Sequence, residues 1–180
     1  DKKKGIYIDI GAYHPFYGSN THKLFLKGWS GINIDLDPQT IDSFNYFRPK
    51  DENICAAVSE ASSEKNLYFH HNRSAINTLV EKMGHRAKEI RKIKTTTINK
   101  ILEDSKFKGL NIDFLSIDVE GHELDVIKGL DFQKYSPKII VIEHQDPMMK
   151  KVEFHNQNIE RTIQSDIYKY MISKNYVLIN

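Results

Sequence analysis

A single cysteine, Cys55, stands among 180 residues, so neither an intramolecular disulfide nor a paired-cysteine zinc site is available. Long apolar runs are missing too. Nothing approaches the roughly 18 consecutive apolar residues of a membrane-spanning helix, so no membrane span is expected. The opening residues lack the charged–apolar–small order of a signal peptide. With the lone cysteine, this leads us to expect a cytoplasmic protein. Charge of one sign is also scarce: 26 basic residues face 24 acidic ones, a net +2. A dedicated nucleic-acid binder carries a stronger imbalance, so no nucleic-acid partner is expected. Only nine glycines and five prolines occur, and no Pro/Gly/Ser-rich linker divides the chain. Residues 1–180 are therefore expected to form a single domain. The chain opens on Asp1 and ends just after an apolar run, which reads as an excised piece of a longer protein.

What is present is a repeated alternation of short β-rich runs and amphipathic stretches. Gly5–Ile10, Gly31–Leu36, Asn53–Val58, Asp113–Val119 and Lys138–His144 read as strands, with Tyr176–Ile179 as a sixth and Leu67–His70 as a further short one. Their nearly continuous apolar character suits parallel strands covered on both faces. Helices are expected at Thr21–Lys27 after a Ser19-Asn20 capping pair, and at Pro38–Phe47 with Asp37 as cap. Three more are expected at Thr97–Lys106, His122–Lys128 and Ile159–Lys174. The alternation predicts an α/β, doubly wound, mostly parallel sheet flanked by helices. Lys82, Arg86, Lys88, Arg91, Lys92 and Lys94 read as a solvated helix face, Glu123 as a helix-face charge and Trp29 as core packing.

Acids mark one end of that sheet. Asp9 lies on the first strand, Asp35 and Asp37 close the second, Asp118 and Glu120 follow the fourth, and Glu143 follows the fifth. An acid in an apolar strand is costly unless it is paired or meets a ligand. Open α/β sheets bind ligands beyond the carboxyl ends of their strands. The G-x-G-x-x-G dinucleotide fingerprint is absent. A carboxylate before the first turn, Asp9 ahead of Gly11 and Ala12, suits a cationic cofactor such as S-adenosylmethionine better than a pyrophosphate. Asp35 is placed to accept hydrogen bonds from a ribose diol, a feature that nicotinamide sites share.

Six segments, in order, carry a family resemblance: Ile8–Thr21, Lys27–Pro38, Ala75–Leu79, Thr95–Leu102, Ile112–Phe132 and Pro137–Glu143. The chain resembles FkbM-type methyltransferases, a class I family dependent on S-adenosyl-L-methionine. That resemblance implies a Rossmann-like class I fold, with cofactor contacts from the first-strand loop (Asp9, Gly11, Ala12, Ser19, Asn20, Thr21), Asp35, Ser59 and Asp118. It implies O-methylation of a sugar or natural-product hydroxyl, so the expected acceptor is a small molecule or glycan, nucleotide-linked or phosphorylated forms included. The family's usual glutamate–proline after the second strand is Asp35-Leu36 here, an acid with a shorter arm. The chain stops where class I enzymes continue into an antiparallel seventh strand, which leaves the presence of that strand open.

A sugar hydroxyl needs a base or a metal to become a nucleophile at neutral pH. His144, Glu143 and His14 are the candidates for catalysis, and His122 is an alternative that would otherwise help to cap a helix. Asn77 and Thr78, in a loop over the acceptor site, and Glu120 are the expected acceptor contacts. A divalent metal on Asp118, Glu143 and His144 is the alternative, not favoured because magnesium prefers oxygen ligands to histidine. The rival functions are a nicotinamide-dependent oxidoreductase or epimerase, and a non-catalytic module that keeps the fold. Oligomeric state is not readable from the sequence.

Overall fold

A computed structural model describes residues 4–144 and 159–179, which fall into two compact units, Asp1–Glu143 and His144–Asn180. Along the chain the first unit runs β1 (Ile6–Ile10), α1 (His22–Leu26), β2 (Ser30–Asp35), α2 (Pro38–Phe47), β3 (Glu52–Cys55), β4 (Ala57–Val58), β5 (Glu64–Phe69), β6 (Glu89–Thr96), α3 (Ile98–Asp104), β7 (Phe114–Ile117), α4 (Glu123–Lys128) and β8 (Ile139–Ile142). The isoleucine-rich runs become a five-stranded sheet in the order β3-β2-β1-β7-β8, with every neighbouring pair parallel. Ile8, Ile10, Ile32, Ile34, Leu115 and Ile117 are buried at its centre. Each such side chain contributes about 1.5–3 kcal/mol by leaving water. Because all five strands point the same way, the acids at their carboxyl ends share one edge. Strand order reverses between β1 and β7, which opens a crevice at that edge.

Local chemistry explains the helix starts. Asp37 accepts a hydrogen bond from the Gln39 N–H at 2.8 Å, and Pro38 occupies the first turn of α2, where its missing N–H costs nothing. Thr97 caps α3 through the Lys100 N–H at 3.1 Å. Trp29 packs on the sheet, and a Cβ on Gly5 would come within 2.6 Å of its ring.

Several expectations need correction. Asn53–Val58 is two strands, not one. β3 pairs with β2, but the Ala56 N–H turns to the Asp35 carbonyl at 2.9 Å, and β4 leaves to pair with β6. The basic stretch is no helix: Arg91, Lys92 and Lys94 lie on β6, which pairs antiparallel with β5 in a second, three-stranded sheet. The Arg91 guanidinium packs 3.4 Å over the Phe69 ring, so these basic side chains cover a ribbon instead of a helix. Ser19 and Asn20 do not cap α1. The residue in the cap position is Thr21, whose hydroxyl is turned inward to Asp9.

In the second unit, the single helix expected at Ile159–Lys174 is α5 (Ile159–Gln164) followed by α6 (Asp166–Ser173). Ser165 takes an extended conformation between them; its hydroxyl donates to the Thr162 carbonyl at 2.7 Å and accepts from the Tyr168 N–H at 3.1 Å. Tyr176–Ile179 forms no strand. The Tyr176 N–H is spent on the Met171 carbonyl, closing α6, and no ladder partner for the segment occurs among the described residues. No antiparallel strand joins the five-stranded sheet among those residues. None of their helices is long and apolar enough to cross a membrane.

Candidate active site

A cleft open to solvent lies over the carboxyl ends of β1, β2 and β7 and the β3–β4 link. Its first wall is the turn after β1. Gly11 takes φ +75°, and a Cβ there would run into the Asp118 carbonyl after β7. Glycine is thus required twice, for the conformation and for the close approach of two loops across the switch point. The Gly11 and Ala12 N–H groups donate to the Ile34 carbonyl at 2.9 and 3.1 Å, drawing the turn over the end of β2. Asp35 receives the Tyr13 N–H at 2.9 Å on one oxygen and the Asp37 N–H at 2.8 Å on the other. Burial raises its pKa, opposed by these backbone bonds. A carboxylate offers about four acceptor directions, so some acceptor capacity remains beyond the Tyr13, Asp37 and Leu36 N–H groups for a ligand hydroxyl.

Asp9 forms the floor. It is 3 % exposed, lies between Asn33 of β2 and Ser116 of β7 in register, and accepts the Thr21 hydroxyl at 2.6 Å. Burial pushes its pKa up to about 6, against the pull of the Thr21 hydrogen bond and the Arg48 charge. Ser19 and Asn20 line the cleft, and the Asn20 amide donates to Ser116 Oγ at 3.0 Å. Thr21 is wholly buried behind Asp9 and touches the cleft only through it.

The opposite wall is the turn Asp118–His122. Glu120 has φ +56° and Gly121 φ +92°. This turn is held by Glu123, a buried residue and not the surface charge expected, whose Oε1 accepts the Val119 and Gly121 N–H groups at 3.0 and 2.9 Å. Above it runs a loop in which Ser74, Ala75 and Asn77 face the cleft. The Thr78 hydroxyl donates to the Glu120 carbonyl at 2.7 Å, and Asn77 binds the His70 N–H and the His71 carbonyl at 2.8 and 3.0 Å. Thr78 is buried, so its hydroxyl fastens the loop to the wall. Arg73 reaches the rim, its N–H donating to Asp37. Ser59 is also fully buried. Its hydroxyl pairs with His122 Nε2 at 3.0 Å, while His122 Nδ1 lies 3.3 Å from Asp125. With both ring nitrogens engaged, His122 ties β4 to α4 at the back of the cleft.

Among the other candidates for catalysis, His14 accepts the Phe16 and Tyr17 N–H groups on Nδ1, both at 3.1 Å, and does not line the cleft. Burial and the nearby Arg73 and Arg48 charges lower its pKa. Its Nδ1 lone pair holds the turn together. Glu143 joins Asp118 and Glu120 with carboxylate oxygens within 4.8 Å of one another, an all-oxygen group of the kind hard cations accept. His144 is exposed and opens the second unit.

Sequence reasoning missed Arg48. It is fully buried and donates to Thr21 Oγ1 at 2.9 Å, Asn33 Oδ1 at 3.4 Å, Ser19 Oγ at 3.0 Å and the Pro15 carbonyl. The available signal was its type, since only five of the 26 basic residues are arginine. A Tyr-x-x-x-Lys spacing, used by some nicotinamide oxidoreductases, occurs at Tyr46–Lys50, at the end of α2, and at Tyr170–Lys174, at the end of α6 in the second unit; neither pair is part of the cleft lining.

A parallel α/β sheet that reverses order beneath an acid-floored cleft is the Rossmann-like architecture of class I methyltransferases. Within that class the chain belongs to the methyltransferase FkbM domain family, whose profile matches residues 9–178. It is a methyltransferase by family. Comparison with curated proteins and with solved structures gave no significant match.

Proposed function

We propose that this protein is an S-adenosylmethionine-dependent O-methyltransferase acting on a hydroxyl of a saccharide, glycoconjugate or related small molecule. The observation that carries the cofactor reading is the buried Asp9 carboxylate on the floor of the cleft, next to a glycine turn that presents no phosphate-binding fingerprint. A buried carboxylate facing a cleft favours a cationic ligand, whereas a pyrophosphate would be repelled. Bound there, S-adenosylmethionine supplies a methyl group on an electrophilic sulfonium. Asp35 takes a hydroxyl of the ribose diol with its remaining acceptor capacity. Gly11, Ala12, Ser19 and Asn20 form the wall along the amino-acid end, and Asp118 borders the reacting end. Thr21 and Ser59 act from behind the lining, through Asp9 and His122.

Positioning an acceptor oxygen for in-line attack supplies much of such an acceleration. Glu143, just after β8, is proposed to take the hydroxyl proton, with Glu120 and Asn77 holding the acceptor. The support for a saccharide is the aromatic rim. Tyr13 lines the cleft, its ring centroid is 6.5 Å from that of His14, and His14 is 5.0 Å from the exposed Tyr17. Such rings pair an apolar face with a polar edge and suit the apolar faces of pyranoses. Arg73 at the rim offers a partner to a phosphorylated or nucleotide-linked acceptor. A cytoplasmic setting is proposed with it.

Calorimetric titration of the protein with S-adenosylmethionine, its demethylated product and NAD tests the reading. Saturable heat from the first two and none from NAD is expected. Tight NAD binding with no heat from the other two would overturn it.

A further inference from the structure

A fully buried guanidinium needs compensation from every side, because removing a charge from water costs several kcal/mol. Among the described residues no carboxylate forms an ion pair with Arg48. Its head is stacked between the Phe25 and Phe44 rings, 5.1 Å from each centroid, and its two terminal nitrogens are spent on neutral oxygens. Nη2 donates to Ser19 Oγ and the Pro15 carbonyl, and Nη1 to Thr21 Oγ1 and Asn33 Oδ1, with the Tyr7 hydroxyl at 3.5 Å. Two of those oxygens are relays to buried acids. The Thr21 hydroxyl donates onward to Asp9, and the Tyr7 hydroxyl to Asp51, which also takes the Gly31 N–H at 3.0 Å and the Asn33 amide at 3.1 Å. The guanidinium thus stands one hydroxyl away from the cleft floor and fixes three points of the loop between β1 and α1.

We propose that Arg48 is a positioning residue for the cofactor site: through Thr21 and Ser19 it clamps the β1–α1 loop against Asp9 and keeps a positive charge behind that carboxylate, so that Asp9 meets a cationic ligand ionised and in one orientation. The inference rests on the cofactor reading above. Lysine cannot replace the fork, since its three donors radiate from one nitrogen, whereas Pro15 and Ser19 are held by one arm of the guanidinium and Thr21 by the other. The groups facing Asp9 are Thr21 from the start of α1, Arg48 from the end of α2, Ser116 from β7, Asp118 beyond β7, and Tyr7 with Asp51 on the same side of the sheet. Of these, Arg48 is the cation. The rise of Asp9 to about 6 from burial is the value with Arg48 in place.

The test is a pair of pH series on the full chain: the Asp9 carboxylate followed by carbon NMR without ligand, and S-adenosylmethionine affinity by calorimetry. In the wild type both should turn over near pH 6. In Arg48→Met the Asp9 midpoint should move up by about one unit, and affinity should fall roughly twofold at pH 7 and roughly tenfold at pH 5, because only below both midpoints does one unit correspond to a tenfold change in the ionised fraction. Arg48→Lys should fall between the two. Thr21→Val, which cuts the relay while leaving Arg48 in place, should also raise the midpoint. It carries the test together with Arg48→Lys if Arg48→Met does not fold. A wild-type midpoint and affinity in the folded variants, with only a lower melting temperature, would overturn the proposal and leave Arg48 a structural cation. A wild type that binds no S-adenosylmethionine overturns the cofactor reading instead, and the ligand-free Asp9 titration then still decides whether Arg48 tunes this carboxylate.

Discussion

The closest approach in the site is between two turns, and it makes a quantitative prediction for Gly11→Ala. Two costs arise. Alanine at φ +75° is forced into the left-handed region, at about 1–2 kcal/mol for an L side chain. Its Cβ also collides with the Asp118 carbonyl, a backbone atom that cannot swing aside, and overpacking of this kind costs about 1–3 kcal/mol. The sum, about 2–5 kcal/mol, corresponds to a melting temperature lower by roughly 4–20 °C in a chain of this size. Gly18→Ala is the internal control. Gly18 has φ +67° but nothing within 4 Å of a built Cβ, so it meets the conformational cost alone, roughly 2–8 °C. Thermal unfolding by circular dichroism, with calorimetric titration of the cofactor, separates the two. Gly11→Ala should also lose cofactor affinity, since relieving the collision pushes the turn after β1 away from the turn that carries Asp118. Equal losses of stability in both variants, or an unchanged cofactor affinity in Gly11→Ala, would refute the claim that the two turns must touch.

Other perturbations have definite outcomes. Asp35→Ala strands the Tyr13 and Asp37 N–H groups; it should cost about 1–3 kcal/mol of stability and abolish cofactor binding in a calorimeter. Asp9→Asn should trade stability against function. The folded protein holds the Asp9 proton up to about pH 6, against 3.8 for the free side chain, so between these values the native state binds more protons than the unfolded one and stability falls as pH rises. The burden is absent below about pH 3.8 and complete above about 6, on the order of 1–3 kcal/mol. The ligand-free asparagine variant should therefore melt higher than the wild type at pH 7.5, yet fail to bind S-adenosylmethionine; a variant that melts lower would refute the sign. Glu143→Gln should keep cofactor affinity and lose turnover, and full turnover in this variant removes Glu143 as the base.

What could be read from the chain divides by how far each interaction reaches. Parallel strands covered on both faces need near-continuous apolar runs, so β1, β2 and β7 show in the sequence by composition alone; β8 carries the same kind of run although Ile139 and Val141 are exposed. Caps such as Asp37 and Thr97 act over two or three residues and are just as visible. The split at Ala56 was not, because Asn53–Val58 keeps one apolar rhythm while its two halves serve different sheets. Nor was the β5–β6 ribbon. Its lysine and arginine stems cover apolar surface while their heads stay in water, and that pattern looks like a solvated helix until the partner strand is known.

The acids of the site were legible for an energetic reason. A carboxylate inside an apolar strand is so costly that its presence announces a ligand or a buried partner, and the parallel sheet then gathers such groups at one edge. Their supporting shell was not legible, because Arg48 gains its place from Pro15, Ser19 and Thr21 of the β1–α1 loop and Asn33 of β2, two segments that meet the end of α2 only after folding. The direction of causation follows from this geometry. The strands set where Asp9 lies, but the buried cation and its relays set how it is held. Two chains with the same acids at the same strand ends can therefore differ in cofactor affinity through a residue that never touches the ligand.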